Sequence, residues 1–188
     1  MSVRPILIWG DPVLHTPAAP VERFDDELAR LVADMHETMD AAPGVGLAAP
    51  QIGVPLRVFV WHYPDQEEGP ARGVAVNPRL WQSPLGIDEL DAETESEGCL
   101  SFPGERFPLR RADAVLLQAQ DLEGAPFELR ATGWFARIFQ HEHDHLDGVL
   151  YVDRLHPDFE RDAAKIARKR GWGGAGRSWD PTAERLEG

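Results

Sequence analysis

The chain has 188 residues, a net charge of -13 and 43% hydrophobic residues, which suits one globular domain with a real core and excludes wholesale disorder. The acidic balance argues against nonspecific nucleic-acid binding by the whole surface, and no apolar run approaches the roughly 20 residues of a membrane span. A single cysteine, Cys99, leaves no intramolecular disulfide, and Met1 to Gly10 lack a signal-peptide layout. The chain therefore reads as cytoplasmic, and the lone thiol becomes a candidate for chemistry.

The first predicted helix runs from about Phe24 to Met39, where Phe24, Leu28, Leu31, Val32, Met35 and Met39 form one apolar stripe. Ala41-Ala42-Pro43-Gly44 stops it. Gly44 to Gly53 is rich in small residues that permit close backbone approach, without the spacing of a phosphate loop. Two readings stand there: a tight connection into a strand, or a substrate-contacting wall with Gln51 as its polar group. Strands are expected at Leu56 to His62 and Val74 to Leu80, separated by a polar loop from Pro64 to Gly73.

Glu89, Asp91, Glu93, Glu95 and Glu97 alternate with smaller residues, a period of two that predicts a strand with a solvated acidic face. Ala114 to Gln120 and Phe127 to Ala131 flank a turn at Asp121-Leu122-Glu123-Gly124 and predict a hairpin. A second helix follows from about Trp134 to Leu146. A third, from Pro157 to Arg170, carries Arg161, Lys165, Arg168, Lys169 and Arg170. It reads as a solvated amphipathic helix, with contact to ribosomal RNA as the sharper alternative. Residues 171–188 read as a glycine-rich tail that packs back through Trp172 and Trp179 onto a domain of residues 1–170.

His141-Glu142-His143-Asp144-His145 lies on the second helix. His141 and His145 are four apart and share a face with Trp134 and Ile138, so both imidazoles can reach one divalent ion. Glu142 stands beside the first ligand as a general base, while His143 points about 200° away. A catalytic site of this kind needs a third ligand and an open position. His15, His36, His62 and His156 have no local ligand pattern and read as ordinary histidines. Cys99, in Glu97-Gly98-Cys99-Leu100-Ser101, would alone read as a buried inert thiol; beside this helix, thiolate ligation is the better reading.

Three segments together resemble one family, the peptide deformylases: Gly44-Val45-Gly46-Leu47-Ala48-Ala49-Pro50-Gln51, Glu97-Gly98-Cys99-Leu100-Ser101 and Gln140-His141-Glu142-His143-Asp144-His145-Leu146. The resemblance extends from about Pro5 to Leu155. The tail, with Gly171-Trp172-Gly173-Gly174 and Ser178-Trp179, resembles that of actinobacterial members. His-Glu-x-x-His alone recurs in many unrelated hydrolases, whereas the three motifs in this order are specific.

The resemblance implies an α+β single domain, with short antiparallel or mixed sheets packed around the His-Glu-x-x-His helix, flanked by the other helices and the tail. It implies that Cys99, His141 and His145 hold one divalent ion, ferrous iron with nickel or zinc as substitutes. The activity implied is hydrolysis, in protein biosynthesis, of the formyl group on the N-terminal methionine of nascent polypeptides, releasing formate. Metal-bound water would attack the formyl carbon with Glu142 as acid/base, and Gln51 and the Leu100 N–H would stabilise the oxyanion. Val45, Gly46, Trp134 and Ile138 fall where the family lines its methionine pocket, and Arg106 and Glu97 match flanking positions without an assigned role. The expected partners are formylmethionyl nascent peptides and the ribosome near its exit tunnel, with no membrane or DNA, and the chain acts as a monomer. Two rivals remain: a zinc peptidase taking Asp153 or Glu160 as third ligand, and a catalytically silent metal-binding module on the ribosome.

Overall fold

The structure, a computed structural model, describes residues 2–65 and 69–183. Residues 66–68 of the expected polar loop and residues 184–188 of the expected tail lie outside the described residues. In chain order the elements are β1 (Ile6–Leu7), α1 (Asp26–Ala41), β2 (Gly46–Ala48), β3 (Val58–His62), β4 (Arg72–Gln82) and β5 (Ser96–Cys99). These are followed by β6 (Phe102–Pro108), β7 (Ala114–Gln120), β8 (Pro126–Thr132), α2 (Gly133–Leu146), α3 (Pro157–Arg170) and β9 (Ser178–Trp179).

The main sheet has five antiparallel strands in the order β2-β3-β4-β7-β8. Successive side chains of a strand point to opposite faces, and β3 shows what this achieves. Its Val58 and Val60 pack with Leu28, Val32, Met35 and Met39 of α1, while Phe59 and Trp61 pack with Phe135 and Phe139 of α2. Each face of the sheet thus receives one helix, as an α+β domain requires. Asp25 caps α1, its carboxylate accepting from the Glu27 and Leu28 N–H groups at 3.0 and 3.2 Å.

A second sheet, β5-β6, lies beside α3 and the 3-10 turn Tyr151–Arg154, with Phe102, Phe107 and Tyr151 in its core. The third sheet pairs the first strand with the last, β1 with β9, in the register Ile6↔Trp179. The α+β architecture around a central α2 agrees with the expectation. Helix α3 has the expected limits because Pro157 starts it and Gly171, at φ 68, ends it.

The acidic stretch does not form the expected strand. Residues 89–95 form turns and irregular chain, and only Ser96 and Glu97 of its end enter β5. Asp91 accepts from the Glu93 N–H at 2.9 Å and from the Thr94 hydroxyl at 2.7 Å. This local side-chain-to-backbone bonding competes with a strand ladder. Glu97 also leaves the expected solvated face: it is buried, because three cationic or donor side chains converge on it.

Candidate metal centre and its cleft

Helix α2 carries a polar stripe through the core: Arg137, His141, Asp144 and His145 recur at helical spacing and turn toward the β5-β6 sheet. The opposite stripe, Phe135, Phe139 and Leu146, anchors the helix on the main sheet. On the facing strand, Cys99 ends β5, and its sulfur lies 3.2 Å from His145 Nε2. Among the described residues, Cys99, His141 and His145 form a group whose ligand atoms lie within 4.8 Å of one another. Neither Asp153 nor Glu160 belongs to it. Asp153 instead accepts from the Leu150 N–H at 2.9 Å, closing a turn.

The donor set fits a divalent ion. Glu97 Oε1 lies 3.0 Å from His141 Nδ1, and a carboxylate can only accept, so that nitrogen carries the proton and Nε2 is left to ligate. Burial holds the His145 imidazole well below its ordinary pKa, in the neutral form a metal needs. Burial also works against charge on His141, but the neighbouring Cys99 and Glu97 outweigh it and push its pKa well up. The same negative groups that favour a proton there favour a metal cation.

Glu97 is itself held by a buried network that the sequence reading left without a role. Arg111 donates to its two oxygens at 2.7 and 3.1 Å, and Arg137 donates to Oε2 at 2.9 Å. Arg111 also reaches Asp144 Oδ2 at 2.6 Å, and Arg154 reaches Asp144 Oδ1 at 2.7 Å. Burial pushes the Glu97 carboxyl up, yet the His141 bond and the Arg111 guanidinium prevail and hold it far below the carboxylate range. Sequence reasoning missed Arg111, Arg137 and Asp144. One signal was available: Arg137 and Asp144 share the helix face of the ligand pair, where an unpaired charge could not be buried.

Glu142 shares the burial of Glu97 but not its partners. It is buried, its Oε2 has no hydrogen-bond partner among the described residues, and burial raises its pKa to about 7. Its carboxylate lies so close to Gly46 that a Cβ on that glycine would overlap Oε1. Gln51 is fixed in orientation. Its Oε1 accepts from the Ala48 N–H at 2.8 Å, so Nε2 faces Ser101 Oγ at 3.3 Å and Cys99 Sγ at 3.8 Å.

These groups open into a cleft of about 1210 Å³ whose lining includes Val45, Gly46, Gln51, Leu100, Trp134, Ile138, His141 and Glu142. Ile138 is buried, whereas Val45 and Trp134 are 44% and 40% exposed at the rim. Trp134 therefore does not point into the core as its helical register suggests. It stacks with Arg137 instead, the guanidinium carbon 5.2 Å from the ring centroid. Arg106 lines the same cleft, donating to the Ser96 carbonyl at 2.8 Å. His143 faces away, its ring 3.3 Å from both Asp147 and Arg57.

Comparison with known proteins agrees with this arrangement. Residues 3–160 match the family model described as polypeptide deformylase. The peptide deformylase of Mycolicibacterium vanbaalenii is 50% identical, covering 96% of this chain and 95% of that protein. That of Rhodococcus opacus is 47% identical over 96% and 94% of the two chains. Among solved structures, the peptide deformylase of Thermus thermophilus matches with a TM-score of 0.76 at 40% identity, covering 89% of this chain and 94% of that one. The Ehrlichia chaffeensis enzyme, solved in complex with actinonin, matches with a TM-score of 0.78 at 34% identity over 90% and 98% of the two chains. With matches across nearly its whole length and three motifs converging on one cleft, this chain belongs to the polypeptide deformylase family.

Proposed function

We propose that this chain hydrolyses the N-formyl group of formylmethionyl nascent peptides, with Cys99, His141 and His145 holding the metal and Glu142 moving the proton. The observation that carries the reading is Glu142: a buried carboxyl poised near neutrality, its Oε2 without a hydrogen-bond partner among the described residues, lining the same cleft as the group of one cysteine sulfur and two imidazoles. When bound, a divalent ion supplies Lewis acidity and lowers the pKa of water towards neutral. Ferrous iron is the proposed ion, its borderline character suiting one thiolate with two imidazoles; nickel or zinc can also occupy such a set.

Glu142 Oε2 takes a proton from the attacking water and later gives it to the departing amine, a two-way task that a pKa near 7 permits. Negative charge then grows on the formyl oxygen. Gln51, its Oε1 already bound to the Ala48 N–H, turns Nε2 toward the centre, where its long contacts to Ser101 Oγ at 3.3 Å and Cys99 Sγ at 3.8 Å can give way to that oxygen, and the Leu100 N–H is the second donor. Losing such a donor typically raises the barrier by about 3 kcal/mol. Val45, Gly46, Ile138 and Trp134 are proposed to hold the methionine side chain, and the absence of a Cβ on Gly46 keeps Glu142 in place.

The chain is proposed to act as a cytoplasmic monomer on chains leaving the ribosome. Contact through α3 has less support: Arg161 and Lys165 pair with Asp158 and Asp162 one turn away, as on a solvated helix, and Arg170 is tied to Glu105 of β6. The deciding experiment is anaerobic purification, metal analysis and formate release from formyl-Met-Ala-Ser, with actinonin as the expected competitor. C99S should lose iron on dialysis, since a hydroxyl replaces the soft thiolate. Unchanged iron content in C99S, or no formate from the iron-loaded protein, overturns the reading.

A further inference from the structure

Residues 6–11 and 172–179 meet behind the metal centre. The Ile8 N–H donates to the Arg177 carbonyl at 2.9 Å, and the Gly173 N–H donates to the Trp9 carbonyl at 3.2 Å. Asp11 Oδ2 accepts from the Gly176 N–H at 2.8 Å. The two backbones run so close that a Cβ on Gly10 would overlap Gly173. Trp9 in turn donates its backbone N–H to the Ser101 carbonyl at 2.7 Å, so the terminal layer holds the loop that follows Cys99.

At the end of that layer, β9 buries Trp179 and sets its indole Nε1 2.8 Å from the Leu100 carbonyl. The other end of the same peptide group, the Ser101 N–H, donates to Cys99 Sγ at 3.4 Å. One planar peptide thus links an indole N–H to the sulfur. A donor on the carbonyl oxygen polarises the amide and strengthens its N–H as a donor. That N–H draws charge from the sulfur and fixes its direction, and hydrogen bonds to sulfur ligands are one way a protein tunes a metal site. Gln51 Nε2, at 3.8 Å from the sulfur, is the more distant donor.

We propose that Trp179 is a positioning residue for the thiolate ligand, acting through the Leu100–Ser101 peptide. The inference rests on the reading above that Cys99 is a ligand. It makes the tail part of the metal centre's surroundings, and Pro181, Thr182 and Ala183 continue from Trp179 along the cleft wall.

The test uses the full chain loaded with Co(II), which reports thiolate ligation as a charge-transfer band. In W179F the Ser101 N–H weakens as a donor, the sulfur becomes richer in electrons, and the band moves to longer wavelength. Peroxide should then oxidise Cys99 about threefold faster, less than the roughly 10- to 100-fold that losing a direct outer partner costs, because Trp179 acts through an intervening peptide. W172F makes the same indole-to-phenyl change in the same tail, where Trp172 meets Phe102 at 4.8 Å between centroids, and should leave the band in place. W179M takes the place of W179F if the phenyl variant does not load metal. An unshifted band in the Trp179 variants, or an equal shift in W172F, overturns the inference while leaving Cys99 as a ligand. No thiolate band in the unmodified protein overturns the ligand assignment itself, and the inference with it.

Discussion

Glu97 and Glu142 border one cleft, and their surroundings drive them in opposite directions. Glu97 meets two guanidinium groups and a ring N–H, so it stays ionised and serves to orient His141. Glu142 meets little besides burial, so it holds its proton more tightly than an ordinary carboxyl and exchanges it near neutral pH. Two carboxylates with separated affinities are the usual sign of divided labour between orienting and proton transfer. E142Q keeps the shape of Glu142 and removes its basicity. It should therefore bind metal and fold normally while turnover falls at least about 100-fold, the lower range for a general acid/base. Formate release within a few-fold of the unmodified protein would take Glu142 out of that role.

At the scale of elements, the sequence was most legible where one element declares itself locally. The stripe of α1, the hairpin of β7 and β8 and the Pro157-to-Gly171 limits of α3 all follow from spacing and terminal residues. The convergence of Cys99, His141 and His145, the proposed ligands, was legible because two of them share one helix face. The Glu97 network was not, because its members come from β5, the segment before β7, α2 and the turn after it. Alternating acids look alike whether they face water or distant arginines; only the fold brings Arg111 to Glu97. R111M keeps the volume and leaves Glu97 and Asp144 short of a partner, so it should cost about 3–5 kcal/mol in a urea melt. An unchanged midpoint would reduce the network to ornament.

Helix α1 carries a pH dependence of its own. Burial, with Arg72 close by, lowers the His36 pKa to about 4, against the pull of Asp40. Its Nδ1 is buried without a partner among the described residues. The unfolded chain therefore binds a proton near pH 6.5 that the folded chain refuses until about pH 4. Stability contributed by keeping this ring neutral is present above pH 6.5 and is lost as the pH falls through that window. H36F removes the titration. Between pH 7 and 5 it should lose less stability than the unmodified protein, by about 1–2 kcal/mol after allowance for partial exposure. Parallel stability curves for the two proteins would contradict this.

Residues 6–11 and 172–179 close the whole molecule together, and this bears on whether residues 171–188 are a separate tail. The described part of that segment adds a strand to β1, packs Trp172 on Phe102 and buries Trp179 against Ile6. We therefore treat it as the last layer of one domain, with the boundary at residue 170 marking only where α3 stops. Burying Trp179 and partly covering Trp172 contributes at most about 3–6 kcal/mol, an upper figure because Trp172 is only half-buried and unfolded chains already bury some surface. Total stabilities of natural domains lie at about 5–15 kcal/mol. A chain ending at Arg170 should thus still fold, but with its melting temperature lower by about 10–20 °C, at roughly 2–4 °C per kcal/mol for a protein of this size. It should also aggregate when warmed, since Ile6 and Phe102 would lose their cover. Equal melting of the two chains would mean that the terminal layer lies on the fold without holding it, and residues 171–188 would then deserve the name of tail.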